Sequence, residues 1–172
     1  MYEPGDDSYL LKKNIEAYLD DVEKALEMGV GSGVLLDAFH EVDEVVAVDV
    51  SQDVINMLEK EYEDVSFVQS DLFQNVEGSF DLITFNPPYL PGDYEEDEEL
   101  LGGENGVELS QRFLKESVDH LKPDGVILLI ASSRSDLDRL EETGKDTGYS
   151  LSIIDKKHVF FEDIILYEIR WK

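Results

Sequence analysis

Asn86-Pro87-Pro88-Tyr89 directly follows the apolar run Phe80-Asp81-Leu82-Ile83-Thr84-Phe85. An amide oxygen, a backbone carbonyl stiffened by proline and an aromatic ring are what a site needs to hold a flat group by its NH2 and present the nitrogen for attack. The chemistry they suit is methyl transfer to a planar nitrogen. Taken alone, Pro-Pro after Asn is also an ordinary way to stop a strand and open a turn. Upstream residues have to decide between the two.

Glu27-Met28-Gly29-Val30-Gly31-Ser32-Gly33 falls at the end of a predicted strand and opens a predicted helix, the place where an open α/β sheet binds a nucleotide-like ligand. Gly29, Gly31 and Gly33 are spaced G-x-G-x-G. A dinucleotide fingerprint wants its third glycine where this chain has Val34, and a P-loop wants a Gly-Lys-Ser/Thr that is missing. Glu27 narrows the choice, since a carboxylate beside Gly29 repels pyrophosphate but suits a cofactor carrying an ammonium and a sulfonium. S-adenosylmethionine therefore fits better than NAD or ATP. Asp49 closes the next strand, Val45-Val46-Ala47-Val48-Asp49, where a carboxylate can take both ribose hydroxyls. Asp71 closes the third, where it could accept from an adenine amino group while the Leu72 N–H meets a ring nitrogen. Any one acid at a strand end could be only a helix cap. Three in succession, followed by Asn86 at the end of the fourth strand, form a pattern.

Periodicity supplies the elements that must position these groups. It predicts helices over 8–20, 32–40, 52–61, 107–121 and 135–143, and strands over 24–28, 44–49, 65–69, 80–85 and 125–132. Two further β-rich runs, 150–155 and 159–171, read as a hairpin. The expected fold class is α/β and Rossmann-like: a mostly parallel seven-stranded sheet with helices on both faces and a C-terminal antiparallel hairpin. The chain reads as a single domain over 1–172, with an N-terminal helical segment over 1–22 and a catalytic core over 23–172.

Composition excludes several classes. With no cysteine there is no disulfide framework and no Cys-based zinc or iron–sulfur site, and His40, His120 and His158 lack ligand spacing, so no metal is expected. The start carries no basic signal region, and the longest apolar run, Val126 to Ala131, is too short to span a bilayer, so a cytoplasmic protein is expected. The net charge of −27, from 41 acidic and 14 basic residues, is spread along the chain. It reads as adaptation to a salt-rich cytoplasm, with a surface matched to a basic partner as the competing account.

The pattern resembles class I S-adenosylmethionine-dependent methyltransferases of the Asn-Pro-Pro-Tyr group. More closely, it resembles the archaeal and eukaryotic members of the HemK-like branch, which methylate the glutamine N5 of the Gly-Gly-Gln motif in translation release factors. The opening Tyr2-Glu3-Pro4-Gly5-Asp6-Asp7-Ser8-Tyr9-Leu10-Leu11 is similar to the start of those members. The resemblance implies cofactor contacts at Ser8, Glu27, Gly29, Asp49, Asp71, Leu72 and Asn86, while Ser8 also reads as a helix N-cap. Catalysis would rest on Asn86, Pro87 and Tyr89, with Pro88 completing the substrate clamp. The branch also implies a small activator protein, zinc-binding in this family, covering the predicted edge strand 65–69 in a heterodimer. Bacterial relatives carry an N-terminal helical docking domain with no counterpart in this sequence, so recognition is expected from the core, its loops or a partner.

The acidic loop 92–106 is either solvated surface or a flap over the substrate, with glycine hinges. The alternative acceptor is adenine N6 in RNA or DNA, against which stands the lack of a basic groove. Protein lysine and a non-catalytic cofactor-binding subunit rank lower, and direct nucleic-acid binding is not expected.

Overall fold

The computed structural model describes residues 4–92 and 102–172. The predicted alternation is present: α1 (Asp6–Ile15), β1 (Lys24–Met28), β2 (Glu44–Asp49), α2 (Gln52–Leu58), β3 (Val65–Gln69), β4 (Phe80–Phe85), α3 (Glu108–Glu116), β5 (Leu121–Ser132), α4 (Leu137–Asp146), β6 (Tyr149–Val159) and β7 (Glu162–Trp171). One seven-stranded sheet runs in the order β3-β2-β1-β4-β5-β7-β6. Its first five members are parallel, and β7 inserts antiparallel between β5 and β6.

Both faces are covered because the central strands are apolar at consecutive positions, which point to opposite faces. On one face Ala25, Val45, Ala47, Leu82 and Leu128 pack with Leu10, Leu11 and Ile15 of α1 and Val54 and Leu58 of α2. On the other, Leu26, Met28, Val46, Ile83, Phe85 and Leu129 pack with Phe113 and Leu114 of α3 and Leu140 of α4. That parity has a functional consequence. Glu27 follows Ala25 by two, Asp49 follows Ala47 by two, and Asn86 follows Thr84 by two. Glu27 stands in register with both Ala47 and Thr84. The three functional side chains thus belong to the α1–α2 face, at the carboxyl ends of three adjacent strands.

Several boundaries differ from the predictions, and four of the differences have an identifiable physical reason. α1 begins at Asp6 with Gly5 as its N-cap, so Ser8 lies inside the first turn and is not the cap. In place of a helix over 32–40 there is only a 3-10 turn, Leu36–Phe39. Gly29, Gly31 and Gly33 all take positive φ, between 50° and 76°, which holds the chain out of helical geometry until too few residues remain. The helix expected through Leu121 stops at Glu116 and continues as a 3-10 turn, Ser117–Asp119, because Leu121 pairs with Phe80 as the first residue of β5. The hairpin turns at Phe160-Phe161 rather than before Val159, with Val159 paired to Glu162.

β3 does form one edge of the sheet, as predicted, and β6 forms the other. No helix among the described residues is long and apolar enough to cross a membrane.

Candidate active site

At the carboxyl edge of β2, β1 and β4 lies a cavity of about 430 Å³. That is the size range of small-molecule sites, and the place where open α/β sheets bind them. Ser8, Glu27, Gly29, Gly31, Asp49, Asn86, Pro87, Pro88 and Tyr89 line it, so the structure brings together most of the residues singled out in the sequence. Gly33, Asp71 and Leu72 do not line it. Gly33 packs inward, where a Cβ would come within 2.9 Å of Leu58 Cδ2. Asp71 reaches Arg112 of α3 at 2.7 Å, and Leu72, at φ +48°, turns its buried side chain into the α3 face. Ion pairing and burial carry both residues off the cavity side of the sheet.

Glu27 is 2 % exposed, and its Oε2 has no hydrogen-bond partner. Burial first, and then the neighbouring Asp49 carboxylate, push its pKa well above the ordinary value, against a smaller pull from Lys12. A buried acid with an unmatched oxygen is a receptor for a cation. Asp49 is held by two backbone N–H groups, from Gly31 to Oδ2 at 3.0 Å and from Ser51 to Oδ1 at 2.9 Å. Each oxygen keeps lone-pair capacity, which suits a pair of hydroxyls. Gly29 and Gly31, lacking Cβ atoms and in left-handed geometry, let a ligand approach the backbone closely. Three carboxyl side chains in one cavity, of Asp7, Glu27 and Asp49, disfavour phosphate. The ammonium, sulfonium and ribose of S-adenosylmethionine fit this set of donors and acceptors.

At the other end, the Asn86 amide donates from Nδ2 to Ser8 Oγ at 3.3 Å, while its buried Oδ1 has no partner. Tyr89 donates its hydroxyl to Asp7 Oδ2 at 3.0 Å. The turn is braced from beneath by the base of the acidic loop. Gly102 N–H donates to Leu90 O at 3.0 Å and Gly92 N–H to Gly103 O at 3.1 Å. Ser135 Oγ donates to Tyr89 O at 2.5 Å. Glu108 gathers the loop end: burial would raise its pKa, but hydrogen bonds from Asn105 and from the backbone N–H groups of 105 and 107 outweigh this and lower it. A Cβ at Gly106 would collide with Tyr89 O, which is why the point of closest approach in that base is glycine. The tip of the loop, 93–101, which carries the acidic run of the expected flap, lies outside the described residues.

Asp7 and Phe85 are among the lining residues that escaped sequence reasoning. Asp7 is 2 % exposed and lines the cavity beside Ser8; Phe85 forms part of its floor. Asp7 sat among several acids near the start, and nothing local marked it. Phe85 read as an ordinary strand residue.

The fold and this cavity define an S-adenosylmethionine-dependent methyltransferase. The chain belongs to the methyltransferase small domain family, whose model matches residues 6–147. A protein of Methanocaldococcus jannaschii that carries the name protein N5-glutamine methyltransferase is 35 % identical, over 96 % of this chain and 89 % of its own length. The release factor glutamine methyltransferase of Lactococcus lactis is 30 % identical over 63 % of this chain, which spans 47 % of that enzyme. Among solved structures, a chain of the Mtq2–Trm112 complex of E. cuniculi, responsible for methylating the termination factor eRF1, superposes with a TM-score of 0.81 and 25 % identity. The match covers 99 % of this chain and 98 % of that one.

Proposed function

We propose that this protein methylates the side-chain amide nitrogen of the glutamine in the Gly-Gly-Gln motif of an archaeal-type translation release factor. The observation that carries the reading is the unmatched, buried Oδ1 of Asn86 on a proline-stiffened turn at the inner end of the cavity. A primary amide offers two N–H donors. Asn86 Oδ1 takes one and the Pro87 carbonyl the other, which fixes the plane of the amide and aims the nitrogen lone pair into the cavity. An amide nitrogen is a weak nucleophile because its lone pair is delocalised. Acceptors on both N–H groups stabilise the positive charge that grows there as it reacts. Tyr89 packs against the planar group and excludes water. Bound S-adenosylmethionine supplies an electrophilic methyl on sulfur; transfer leaves a neutral thioether and one amide proton that departs to water. Glu27 and Gly29 hold the amino-acid end of that cofactor and Asp49 its ribose. Ser8 and Asn86 line the reacting end, whereas Asp71 and Leu72 lie outside the cavity lining. The names of the M. jannaschii, L. lactis and E. cuniculi proteins support glutamine as acceptor.

The partner follows from the edge. β3 exposes Ser66 and Gln69, and its five residues include no lysine, proline or acid to discourage pairing. A small activator, zinc-binding as the family resemblance implies and covering Val65–Gln69 in a heterodimer, accounts for it; the Mtq2–Trm112 complex of E. cuniculi supports a protein partner but not its zinc or its place on the edge. The dispersed acidity we ascribe to a salt-rich cytoplasm; a melting temperature that fails to rise with KCl would count against that assignment.

The test uses methyl-labelled cofactor with three acceptors: the release factor, its Gly-Gly-Gln to Gly-Gly-Ala variant, and bulk RNA, each with and without activator. Label on the first alone supports the reading. Label on RNA selects adenine N6, and equal label on the two release factors places the methyl on another residue.

A further inference from the structure

Asp7 lies 82 positions from Tyr89 in sequence, yet it joins both ends of the reactive turn. Its Oδ1 receives the Ser8 hydroxyl at 3.3 Å and the Ser8 N–H at 2.6 Å, and its Oδ2 receives the Tyr89 hydroxyl at 3.0 Å. Ser8 Oγ in turn receives Asn86 Nδ2 at 3.3 Å. Asp7 and Ser8 are 2 % and 5 % exposed, so water does not compete for these bonds.

The direction of every bond in this chain is forced. A carboxylate only accepts, so the single Ser8 hydroxyl proton must point to Asp7. What Ser8 then shows Asn86 is a lone pair, and only the NH2 side of the amide can meet it. The Asn86 carbonyl oxygen is left facing elsewhere, buried and unmatched.

We propose that Asp7 is a positioning residue that sets the polarity of the site. Acting through Ser8, it holds Asn86 with Oδ1 toward the acceptor, and through the Tyr89 hydroxyl it holds the ring beside it. The site thereby selects acceptors that bring N–H donors. With a neutral amide at position 7, the bond to Ser8 can run the other way, the hydroxyl proton can turn to Asn86, and the Asn86 amide can flip. The flipped site would present NH2 to an incoming NH2 and repel it. This assignment rests on Asn86 being the acceptor clamp, but its polarity argument holds for glutamine and adenine alike.

The test is Asp7→Asn, which keeps size and can still receive Tyr89. With saturating S-adenosylmethionine and release factor, kcat should fall roughly 10- to 100-fold, the scale of a misplaced reacting group. The dissociation constant of S-adenosylhomocysteine, measured by calorimetry, should move less than about threefold on the same reasoning. Ser8→Ala should fall with it, and Ser8→Thr, which keeps the hydroxyl, should fall less. The Asn86 side-chain NH2 resonances in a 15N spectrum, assigned by their loss in Asn86→Asp, should shift in Asp7→Asn and Ser8→Ala. A kcat within twofold of wild type, or Asn86 resonances that do not move, would overturn the proposal. Loss of folding alone would show as a lower melting temperature with kcat per folded molecule preserved, and would equally overturn it. If wild type transfers label to RNA instead of release factor, the release-factor reading fails while the same kcat ratios are read on RNA. If it labels neither acceptor, the resonances decide.

Discussion

Glu27→Gln should move stability and cofactor affinity in opposite directions. In the free protein Glu27 is 2 % exposed, one of its oxygens has no partner, and Asp49 adds a like charge. An unmatched buried polar group costs about 1–3 kcal/mol. The neutral amide removes the charge, and Thr84 Oγ1, unmatched on the residue in register with Glu27, can accept from the new NH2. Relief of about 1–3 kcal/mol in a chain of this size raises the melting temperature by roughly 2–10 °C. The same change removes charge-assisted hydrogen bonds to the cationic cofactor, worth about 1.5–3 kcal/mol, so its dissociation constant should rise roughly 10- to 100-fold. The pH dependence has a definite sign. A carboxyl whose folded pKa is raised binds its proton more tightly in the folded than in the unfolded chain, so its destabilising effect is absent below the ordinary value of 4.5 and grows as pH rises above it. The gap in melting temperature between variant and wild type should therefore be small near pH 4.5 and wide at pH 8. Scanning calorimetry at both pH values, with titration calorimetry of S-adenosylmethionine, measures every quantity. A variant that melts lower than wild type at pH 8, or that binds the cofactor as tightly, would refute the picture of Glu27 as a strained cation receptor.

Gly106→Ala combines a φ of +72° with a collision at Tyr89 O, so it should destabilise by about 1–3 kcal/mol and lower kcat more than cofactor affinity; unaltered kinetics would show that the loop base does not brace the turn. Phe160 holds a φ of +51° while 88 % exposed, so it gains nothing from burial; Phe160→Asn, which tolerates that geometry, should raise the melting point by roughly 2–4 °C, and a fall would mean that the ring makes a stabilising contact.

The sequence by itself determined the alternation of strand and helix, because apolar period is a local property. β2 reads Glu-Val-Val-Ala-Val-Asp and β4 Phe-Asp-Leu-Ile-Thr-Phe, and both strands fall where that pattern places them. It also exposed the chemistry, since Glu27, Asp49 and Asn86 each stand within one residue of a strand's carboxyl end. Local pattern misjudged the segment 32–40, where left-handed Gly33, with Gly29 and Gly31 just before it, overrides helix formers, and the hairpin tip, where two phenylalanines that read as strand take the turn. Only the tertiary structure decided which strand ends are neighbours. The order β2-β1-β4 and a register matching Glu27 with Ala47 and Thr84 put three side chains on one face of the sheet. It also sent Asp71 to Arg112 and brought Asp7 and Ser8 of the first helix against Tyr89 and Asn86 respectively. The physical reason is range. Periodicity is written within a few residues, whereas strand order, register and the pairing of buried charges are set by contacts between segments far apart in the chain.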